Sequence, residues 1–470
     1  MQKGTATQHR YTKKLLSTIL ALTLILSMLQ ACGQSNTSSP SGTSNQQSSS
    51  NNASTETNNA ESILTQLTKP VEITFWHAMT GHHEETLQKI ADDFMKQHTN
   101  IKVTLVSQGG YGDLQQKLTA AAKSKTLPTM SQAYEEWIND DIQNNLVVDL
   151  TPYIENATVG WSQDDLNDIV EVFRKANNWD GHYYGMPFNK STRILFYNTD
   201  YLKDKHVDVP KTWDELRDAA EKLTFESNGK KVIGMGFENS VGNEFSMWVR
   251  QAGGQFINEQ TGAVEFNSPE GKKALTFLRG MFEQGIARLA GEDGYMSNPF
   301  GRGDVAMYIG SSAGIPFVAK AAEGNIHWSA AILPKDKVSA TPFAGTSVTV
   351  YQSATPEQRL AAWEFIKFLI NTDNTALWAK ETGYLPVRYS ALQSDTWKQY
   401  VEKNPVYGVG EQQFDAGFFD PRILGMNAVY TALGKEIEAA LLGQKSVDQA
   451  LEDAAKAAQE AIDRAKERAR

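Results

Sequence analysis

The chain has 470 residues, 21% of them charged, and its formal net charge at pH 7 is −10. This acidic excess argues against a nucleic-acid partner, because phosphate backbones need a basic protein surface. The single cysteine, Cys32, excludes an intrachain disulfide, so the folded part must depend on its hydrophobic core.

The N-terminus carries the pattern of a secretory signal. Basic residues precede an apolar run, Leu15–Leu29, that is too short to span a bilayer comfortably. Cys32 follows after Gln30 and Ala31, a spacing that resembles the bacterial lipoprotein signal, in which the cysteine is acylated and becomes the mature N-terminus. We therefore expect a signal peptide over residues 1–31 and a lipid anchor at Cys32. An ordinary free thiol is the alternative interpretation.

A polar segment separates this signal from the rest of the chain. Residues 32–68 are rich in Ser, Asn, Gln and Thr, and up to about Glu61 they have almost nothing apolar to bury. We expect a flexible tether there. The remaining ~400 residues exceed what one core normally supports, which predicts two lobes. No second long apolar run follows the signal.

The first elements after the tether alternate between strand and helix. Val71–Trp76 and Ile101–Val106 are predicted strands, and apolar residues within Glu84–His98 recur at helical spacing between them. Strand, helix and strand within ~35 residues form a βαβ unit, which implies a parallel sheet flanked by helices. A further helix is predicted over about Asp113–Lys125. Arg193–Asn198 is predicted to be a buried strand with polar groups held at its mouth.

Longer helices with clear start signals dominate the second half of the chain. Thr212, Thr355 and Ser446 each stand three residues before a Glu or Gln, which is the capping-box spacing. The last of them precedes a charged helix predicted over about Val447–Arg470. No repeat of solenoid or propeller period is present, so the sequence predicts an α/β fold in two lobes.

Seven short motifs are distributed along the chain after the tether. They are "ITFWHAMTG" (73–81), "GGYGDLQQKL" (109–118), "AYEEW" (133–137), "MPFNKSTRILFYNTDYL" (186–202), "GRGDVAMYIGSS" (301–312), "AGTS" (344–347) and "TGYLPV" (382–387). In order and spacing they resemble the family 1 extracellular solute-binding proteins, which capture sugars and polyols for ABC importers. The branch that includes the glycerol-3-phosphate-binding protein of the Ugp transporter is particularly similar.

This resemblance implies the type II fold of periplasmic binding proteins, with two α/β lobes joined by hinge strands and the ligand held in the cleft between them. Lobe 1 would comprise residues 69–185 and about 312–375, and lobe 2 residues 186–311 and about 376–470. The implied function is the capture of a carbohydrate-like solute, an oligosaccharide or a glycerol-phosphate diester, by lobe closure. The solute would then pass to the ABC permease.

The resemblance also implies a set of ligand contacts, and the chemistry of these side chains suits a polyol. Tyrosine rings face C–H surfaces, a carboxylate accepts from neighbouring hydroxyls, and glycine lets the backbone approach the ligand. The implied contacts are Tyr111, Glu135, Ser191, Ser311, Gly345 and Tyr384. Further possible contacts are Trp76, His77, Asn189, Trp248 and Arg422. Of these, Trp76 and Trp248 suit a cleft or a core equally, whereas Trp363 is expected in the core.

One position departs from the glycerol-phosphate branch. In that branch an arginine near the C-terminus holds the phosphate, and Tyr430 stands at the corresponding position here, with Arg422 eight residues earlier. A tyrosine replaces a fork of charged donors with a neutral stacking surface. We therefore expect Tyr430 to contact the ligand, and a neutral oligosaccharide or a phosphodiester to fit better than a phosphate monoester.

Other functions explain less of the sequence. A secreted carbohydrate-active hydrolase would use Glu135 as one of two carboxylates, but no second carboxylate is identifiable. An adhesive lipoprotein would depend on the tripeptide at 302–304, which a solvated turn explains better. His77, His82 and His83 lack the HExxH spacing, so we expect neither metal nor cofactor. The sequence thus predicts a monomeric binding protein without enzymatic activity, lipid-anchored on the extracytoplasmic face of the membrane of a Gram-positive cell.

Overall fold

The computed structural model describes residues 63–227 and 229–469. The predicted signal peptide, the lipidation site Cys32 and most of the predicted tether lie outside these residues. Ile63, Leu64 and Leu67, which the sequence places at the end of the tether, pack against a hydrophobic cluster. The folded part therefore begins before residue 69, because these apolar side chains have a surface to cover.

A mixed sheet of eleven strands and a separate sheet of two short strands organise the described part of the chain. The strands are β1 (Val71–His77), β2 (Ile101–Ser107), β3 (Met130–Ala133), β4 (Asn178–Trp179), β5 (His182–Tyr183), β6 (Met186–Asn198), β7 (Phe225–Ser227), β8 (Lys230–Phe237), β9 (Ala287–Leu289), β10 (Val305–Ser311), β11 (Trp328–Ala331), β12 (Thr341–Val350) and β13 (Gly417–Phe418). The sheet runs in the order β2-β1-β3-β12-β6-β10-β8-β7, and β9, β11 and β13 add to β8, β6 and β12. The strands β4 and β5 pair with each other.

Helices occupy most of the connections between these strands. They are α1 (His82–Gln97), α2 (Tyr111–Ser124), α3 (Glu135–Gln143), α4 (Thr151–Ile154), α5 (Gln163–Asn167), α6 (Glu171–Ala176), α7 (Thr199–Asp204), α8 (Trp213–Lys222), α9 (Phe245–Gln251), α10 (Pro269–Glu283), α11 (Ser297–Gly301), α12 (Ile315–Ala322), α13 (Pro356–Leu369), α14 (Thr372–Thr382), α15 (Tyr389–Gln393), α16 (Asp395–Lys403), α17 (Met426–Leu441) and α18 (Val447–Ala469). In residues 63–227 and 229–469, every helix is too short or too polar to cross a bilayer.

The local signals read from the sequence are confirmed where they can be compared. The strands β1 and β2 pair in parallel around α1, as the βαβ unit requires. Thr212 Oγ1 and Thr355 Oγ1 each accept from the backbone amide three residues on, at 3.2 and 3.3 Å. Ser446 Oγ does the same at 3.2 Å. These bonds satisfy amides that have no partner inside the helix.

The segment Met186–Asn198 is strand along its whole length, not only in its apolar half. The first half of β6 pairs antiparallel with β12, and the second half pairs with β10 and β11. Neighbouring strands on both sides thus override the polarity of Asn189–Thr192, whose side chains are buried. The register between β6 and β12 shifts at Thr346/Ser347, which marks a β-bulge or irregularity.

Two large hydrophobic clusters are connected by the strand β6. Cluster A draws its buried residues from 71–188 and 343–387, and cluster B from 195–333 and 423–462. The strand β6 passes from one to the other, since Phe188 belongs to cluster A and Leu195 to cluster B. The protein is thus an α/β fold of two lobes with connecting strands, as predicted. The exact lobe boundaries stay a prediction.

Candidate functional site

A cavity of about 350 Å³ lies where the two clusters approach each other, which is within the size range of small-molecule sites. The strand β6 contributes Ser191–Arg193 and the start of α3 contributes Glu135 and Glu136. Glu244, directly before α9, and Phe419–Arg422, before α17, complete much of the wall. Polar groups and aromatic rings therefore surround the same space.

Four of the residues expected from the sequence line this cavity. They are Glu135, Ser191, Arg422 and Tyr430. Sequence reasoning did not identify Glu136, Arg193, Glu244 and Asp420, which line it as well. Arg193 had a usable signal, because residues two apart on a strand share a face and Ser191 was already a candidate.

Tyr111, Tyr384 and Asn189 meet each other beside the cavity rather than in its wall. The hydroxyls of Tyr111 and Tyr384 lie 3.0 Å apart, and Asn189 Nδ2 donates to the Tyr111 hydroxyl at 2.6 Å. Burial raises the pKa of both tyrosines. The ring of Tyr134, which lines the cavity, packs edge-on against Tyr111 with centroids 5.2 Å apart. The three candidates therefore form one network that reaches the cavity through Tyr134.

Gly345 and Ser311 are also outside the cavity wall. The carbonyl of Gly345 accepts from Lys190 Nζ at 2.9 Å. Its φ of +111° is in the region that favours glycine, and a Cβ there would lie 1.9 Å from the Asn189 carbonyl oxygen. Ser311 Oγ accepts from the Ala313 amide at 3.2 Å, so this hydroxyl caps the short 3-10 helix Ser312–Gly314. In this structure both residues shape the backbone around the site.

The remaining aromatic candidates lie deeper in the fold. Trp248 is 1% exposed and belongs to cluster B, so the possible role of Trp248 in the cleft is corrected to a core role. Trp363 is a core residue, as expected. Trp76 is partly buried in a smaller cluster with Leu114. His77 is fully buried, and this burial lowers its pKa to about 4.

Two ion pairs neutralise part of the charge at the cavity. Glu135 Oε1 accepts from the Lys190 ammonium, and Ser347 Oγ donates to the same oxygen at 2.8 Å. Burial lowers the pKa of Lys190. Arg193 Nη2 donates to Glu244 Oε1 at 2.5 Å. The second oxygen of Glu135 makes no hydrogen bond within the described chain, so it remains available to a ligand.

Two further carboxylates of the cavity wall, Glu136 and Asp420, form no ion pair within the described residues. Burial raises the pKa of Glu136 to about 8, and it also raises the pKa of Asp420. The Tyr430 hydroxyl donates to Asp420 Oδ2 at 3.0 Å. Tyr430 therefore lines the cavity, and its hydroxyl is already engaged by a neighbouring acid.

Arg422 connects the segment before α17 with a distant part of the chain. Its Nη1 donates to the carbonyl oxygens of Ala176 at 3.1 Å and Asn178 at 2.7 Å. The guanidinium also lies over the ring of Trp179, 4.6 Å from its centroid. Because Ile423 belongs to cluster B, these contacts tie the edge of that cluster to α6 and β4.

The side chains of the cavity wall suit the binding of a hydroxylated molecule. The wall offers carboxylate acceptors, hydroxyls and an arginine for polar groups, and four aromatic rings for C–H surfaces. The sequence profile of the bacterial extracellular solute-binding proteins matches residues 89–405. The chain belongs to this family.

Curated relatives of this solute-binding protein are similar over most of their length. It is 27% identical over 405 residues to the sn-glycerol-3-phosphate-binding periplasmic protein UgpB of Pectobacterium atrosepticum, covering 82% of this chain and 89% of that one. It is 26% identical over 420 residues to UgpB of Escherichia coli, covering 84% and 92%. These identities confirm the resemblance to the glycerol-phosphate branch.

Solved structures show the same fold at lower identity. The cyclic alpha-maltosyl-1,6-maltose binding protein from Arthrobacter globiformis gives a TM-score of 0.73 at 24% identity, over 84% of this chain and 100% of that one. UgpB from Mycobacterium tuberculosis in complex with glycerophosphocholine gives 0.73 at 21% identity, over 84% and 99%. These similarities confirm the predicted two-lobed fold of the solute-binding protein.

Proposed function

We propose that the protein captures a carbohydrate-like, hydroxyl-rich solute outside the cytoplasmic membrane and delivers it to an ABC permease. The observation that carries this proposal is the cavity between the two hydrophobic clusters, lined by carboxylates, hydroxyls and aromatic rings. Buried hydroxyls of a sugar each need a partner, and such a wall provides them. Membership of the solute-binding family supports the same conclusion.

The ligand is an oligosaccharide or a glycerol-phosphate diester rather than a phosphate monoester. The named relatives bind glycerol 3-phosphate, glycerophosphocholine or a cyclic maltosyl-maltose. In this chain Tyr430 takes the position of the phosphate-binding arginine, and Arg422 is engaged by two carbonyls. The carboxylates of the wall would repel a dianion. Tyr111, Tyr384 and Asn189 exchange their mutual hydrogen bonds for ligand hydroxyls when the ligand enters.

Delivery depends on movement of the two lobes about the strands that join them. Ligand contacts from both sides stabilise the closed form, and release follows when the permease favours the open form. Cys32 carries a lipid that holds the monomer at the membrane, and the tether gives it reach. A Gram-positive surface fits this long tether and anchor. The protein changes no covalent bond of its ligand.

Titration calorimetry and thermal unfolding test this function directly. The probes are maltotriose, glycerophosphoglycerol and sn-glycerol 3-phosphate, and mass spectrometry of each mixture checks for products. We expect stoichiometric binding of the oligosaccharide or the diester, with about 2.7 kcal/mol of added stability at a ligand concentration a hundredfold above Kd. Tight binding of the monoester alone, or the appearance of hydrolysis products, would contradict the proposal.

A further inference from the structure

The cavity holds two acidic side chains that have no basic partner within the described residues. Its wall contains four carboxylates and two guanidinium groups. Glu135 is neutralised by Lys190 and Glu244 by Arg193. This pairing leaves Glu136 and Asp420, whose ionised forms are costly to bury without a counter-charge.

The second guanidinium of the wall does not serve these two acids. Arg422 lies 3.5 Å from Glu259, and its hydrogen bonds go to main-chain carbonyls instead. The Arg250 guanidinium lies over the ring of Phe418, 4.3 Å from the centroid. Its charge lowers the pKa of Asp420 to some extent, but burial outweighs it. Within the described residues, neither acid has a basic side chain within 4 Å.

Two buried polar atoms next to the same cavity lack a well-formed hydrogen bond. Ser246 lines the cavity and is 0% exposed, and Ser246 Oγ has no hydrogen-bond partner among the described residues. Asp420 Oδ1 is also buried without a partner there. The Ser246 hydroxyl lowers the pKa of Asp420 through a side-chain interaction whose geometry is poorer than that of an ordinary hydrogen bond, so the two atoms lie in one small region. Buried polar atoms without partners are rare in native proteins, and a ligand is one way to satisfy them.

Aromatic rings complete the surroundings that a cation prefers. Tyr134, Phe343, Phe419 and Tyr430 all line the cavity. Lys190 Nζ already lies 5.3 Å from the centroid of the Phe419 ring, so this ring accepts a cation on one side. Ring faces attract ammonium groups, and the attraction grows as the group is desolvated.

We propose that the ligand carries a protonated amino group, as an amino sugar does, and that Glu136, Asp420 and Ser246 bind this group. The ammonium N–H donors reach Asp420 Oδ1 and Ser246 Oγ, and the positive charge offsets the negative charge that the two unpaired acids carry when they are ionised. A quaternary ammonium would supply the charge but not the donors. The inference rests on the proposed function, since it specifies the ligand class of the same cavity.

Binding of a cation also has a protonation signature. Glu136 interacts electrostatically with Glu135, Lys190 and Asp420 and lies near Tyr134 and Tyr430, and its carboxyl is mostly protonated at pH 7 because burial raises its pKa to about 8. A neighbouring ammonium favours the carboxylate, so ligand binding at pH 7 releases a proton from Glu136. Calorimetry in two buffers of different ionisation enthalpy measures this release.

The experiment compares ligands that share a skeleton. The probes are the β-1,4-linked glucosamine trisaccharide, its fully N-acetylated counterpart, which is neutral, and glycerophosphocholine, with maltotriose as the neutral reference. Each is titrated into the wild type, Glu136→Gln, Asp420→Asn and the control Glu226→Gln, which changes an exposed carboxylate outside the cavity. We expect the glucosamine trisaccharide to bind at least tenfold more tightly than the acetylated one, with up to one proton released.

Glu136→Gln should abolish the proton release and remove most of this tenfold preference, and Asp420→Asn should reduce the preference, whereas Glu226→Gln should change neither. Equal or tighter binding of the acetylated trisaccharide overturns the amino-group assignment, and so does a preference for glycerophosphocholine over both trisaccharides. Binding of maltotriose with no binding of the glucosamine trisaccharide overturns this inference alone. Binding of none of the probes named here or in the preceding section overturns the proposed function as well.

Discussion

Lys190 and Glu135 form an ion pair beneath the cavity, with side chains only 0% and 5% exposed. Lys190 also donates to the Gly345 carbonyl, so its ammonium joins β6, α3 and β12. Glu135, a candidate ligand contact, therefore has a structural role too. The pair holds three elements of the site together before any ligand arrives.

Removing one member of this pair is expected to destabilise the unliganded protein. Glu135→Gln leaves the buried ammonium of Lys190 without its counter-charge, which costs about 3–5 kcal/mol. Urea unfolding monitored by tryptophan fluorescence measures the loss. The double variant Glu135→Gln/Lys190→Met should recover much of it, because no unpaired charge remains. Equal stability of the wild type and Glu135→Gln would show that the pair contributes nothing.

Gly345→Ala is expected to destabilise the fold because the added Cβ has no room. It would lie 1.9 Å from the Asn189 carbonyl oxygen, at a backbone φ of +111°. Strained backbone of this kind costs about 1–3 kcal/mol before the clash is counted. Gly280→Ala in α10 is the matched control, since a Cβ there meets nothing within 4 Å and alanine favours a helix by about 0.5–1 kcal/mol. Melting temperatures that move in the same direction in both variants would contradict this account.

His77 is expected to make the protein less stable in mild acid. The unfolded chain binds a proton near pH 6.5, whereas burial lowers the folded-state pKa to about 4. The unfolded state therefore binds more protons between these values, and stability falls as the pH falls from 6.5 towards 4, by up to about 3 kcal/mol.

The variant His77→Asn tests this. The Met79 amide donates to His77 Nδ1 at 3.3 Å, and asparagine keeps an acceptor for that amide. Its unfolding free energy should decline less between pH 6.5 and 4 than that of the wild type. His206→Asn, at an exposed histidine, serves as the control. Identical pH profiles for the wild type and His77→Asn would eliminate His77 as the source of acid sensitivity.

Arg422→Met is expected to weaken ligand binding because it destabilises the closed form of the protein. The variant keeps an apolar stem over Trp179 but loses the hydrogen bonds to the carbonyls of Ala176 and Asn178. Hydrogen bonds from a charged group contribute about 1.5–3 kcal/mol, so affinity should fall by about tenfold or more. Small-angle scattering of the unliganded variant should show a larger radius of gyration. Unchanged affinity and unchanged radius together would exclude this role.

Local features of the fold were predictable from the sequence, and features made by distant neighbours were not. The helix predicted over about Val447–Arg470 is observed as Val447–Ala469, because its start depends on Ser446, the residue directly before it. The strand through Asn189–Thr192 was missed since pairing with β12 creates it. Glu136 and Asp420 share a cavity only because the start of α3 and the segment before α17 fold together. No periodic pattern in the sequence indicates that these two side chains lie in the same cavity.

The register shift in β12 affects how firmly such a receptor can hold its cargo. It occurs between Thr346 and Ser347, opposite the polar half of β6 and next to the glycine that supports the buried lysine. A bulge lets a strand bend and twist locally while the ladder on either side stays intact. A regular strand at this position would make the connection between the two lobes stiffer. A stiffer receptor would hold its ligand longer and release it more slowly.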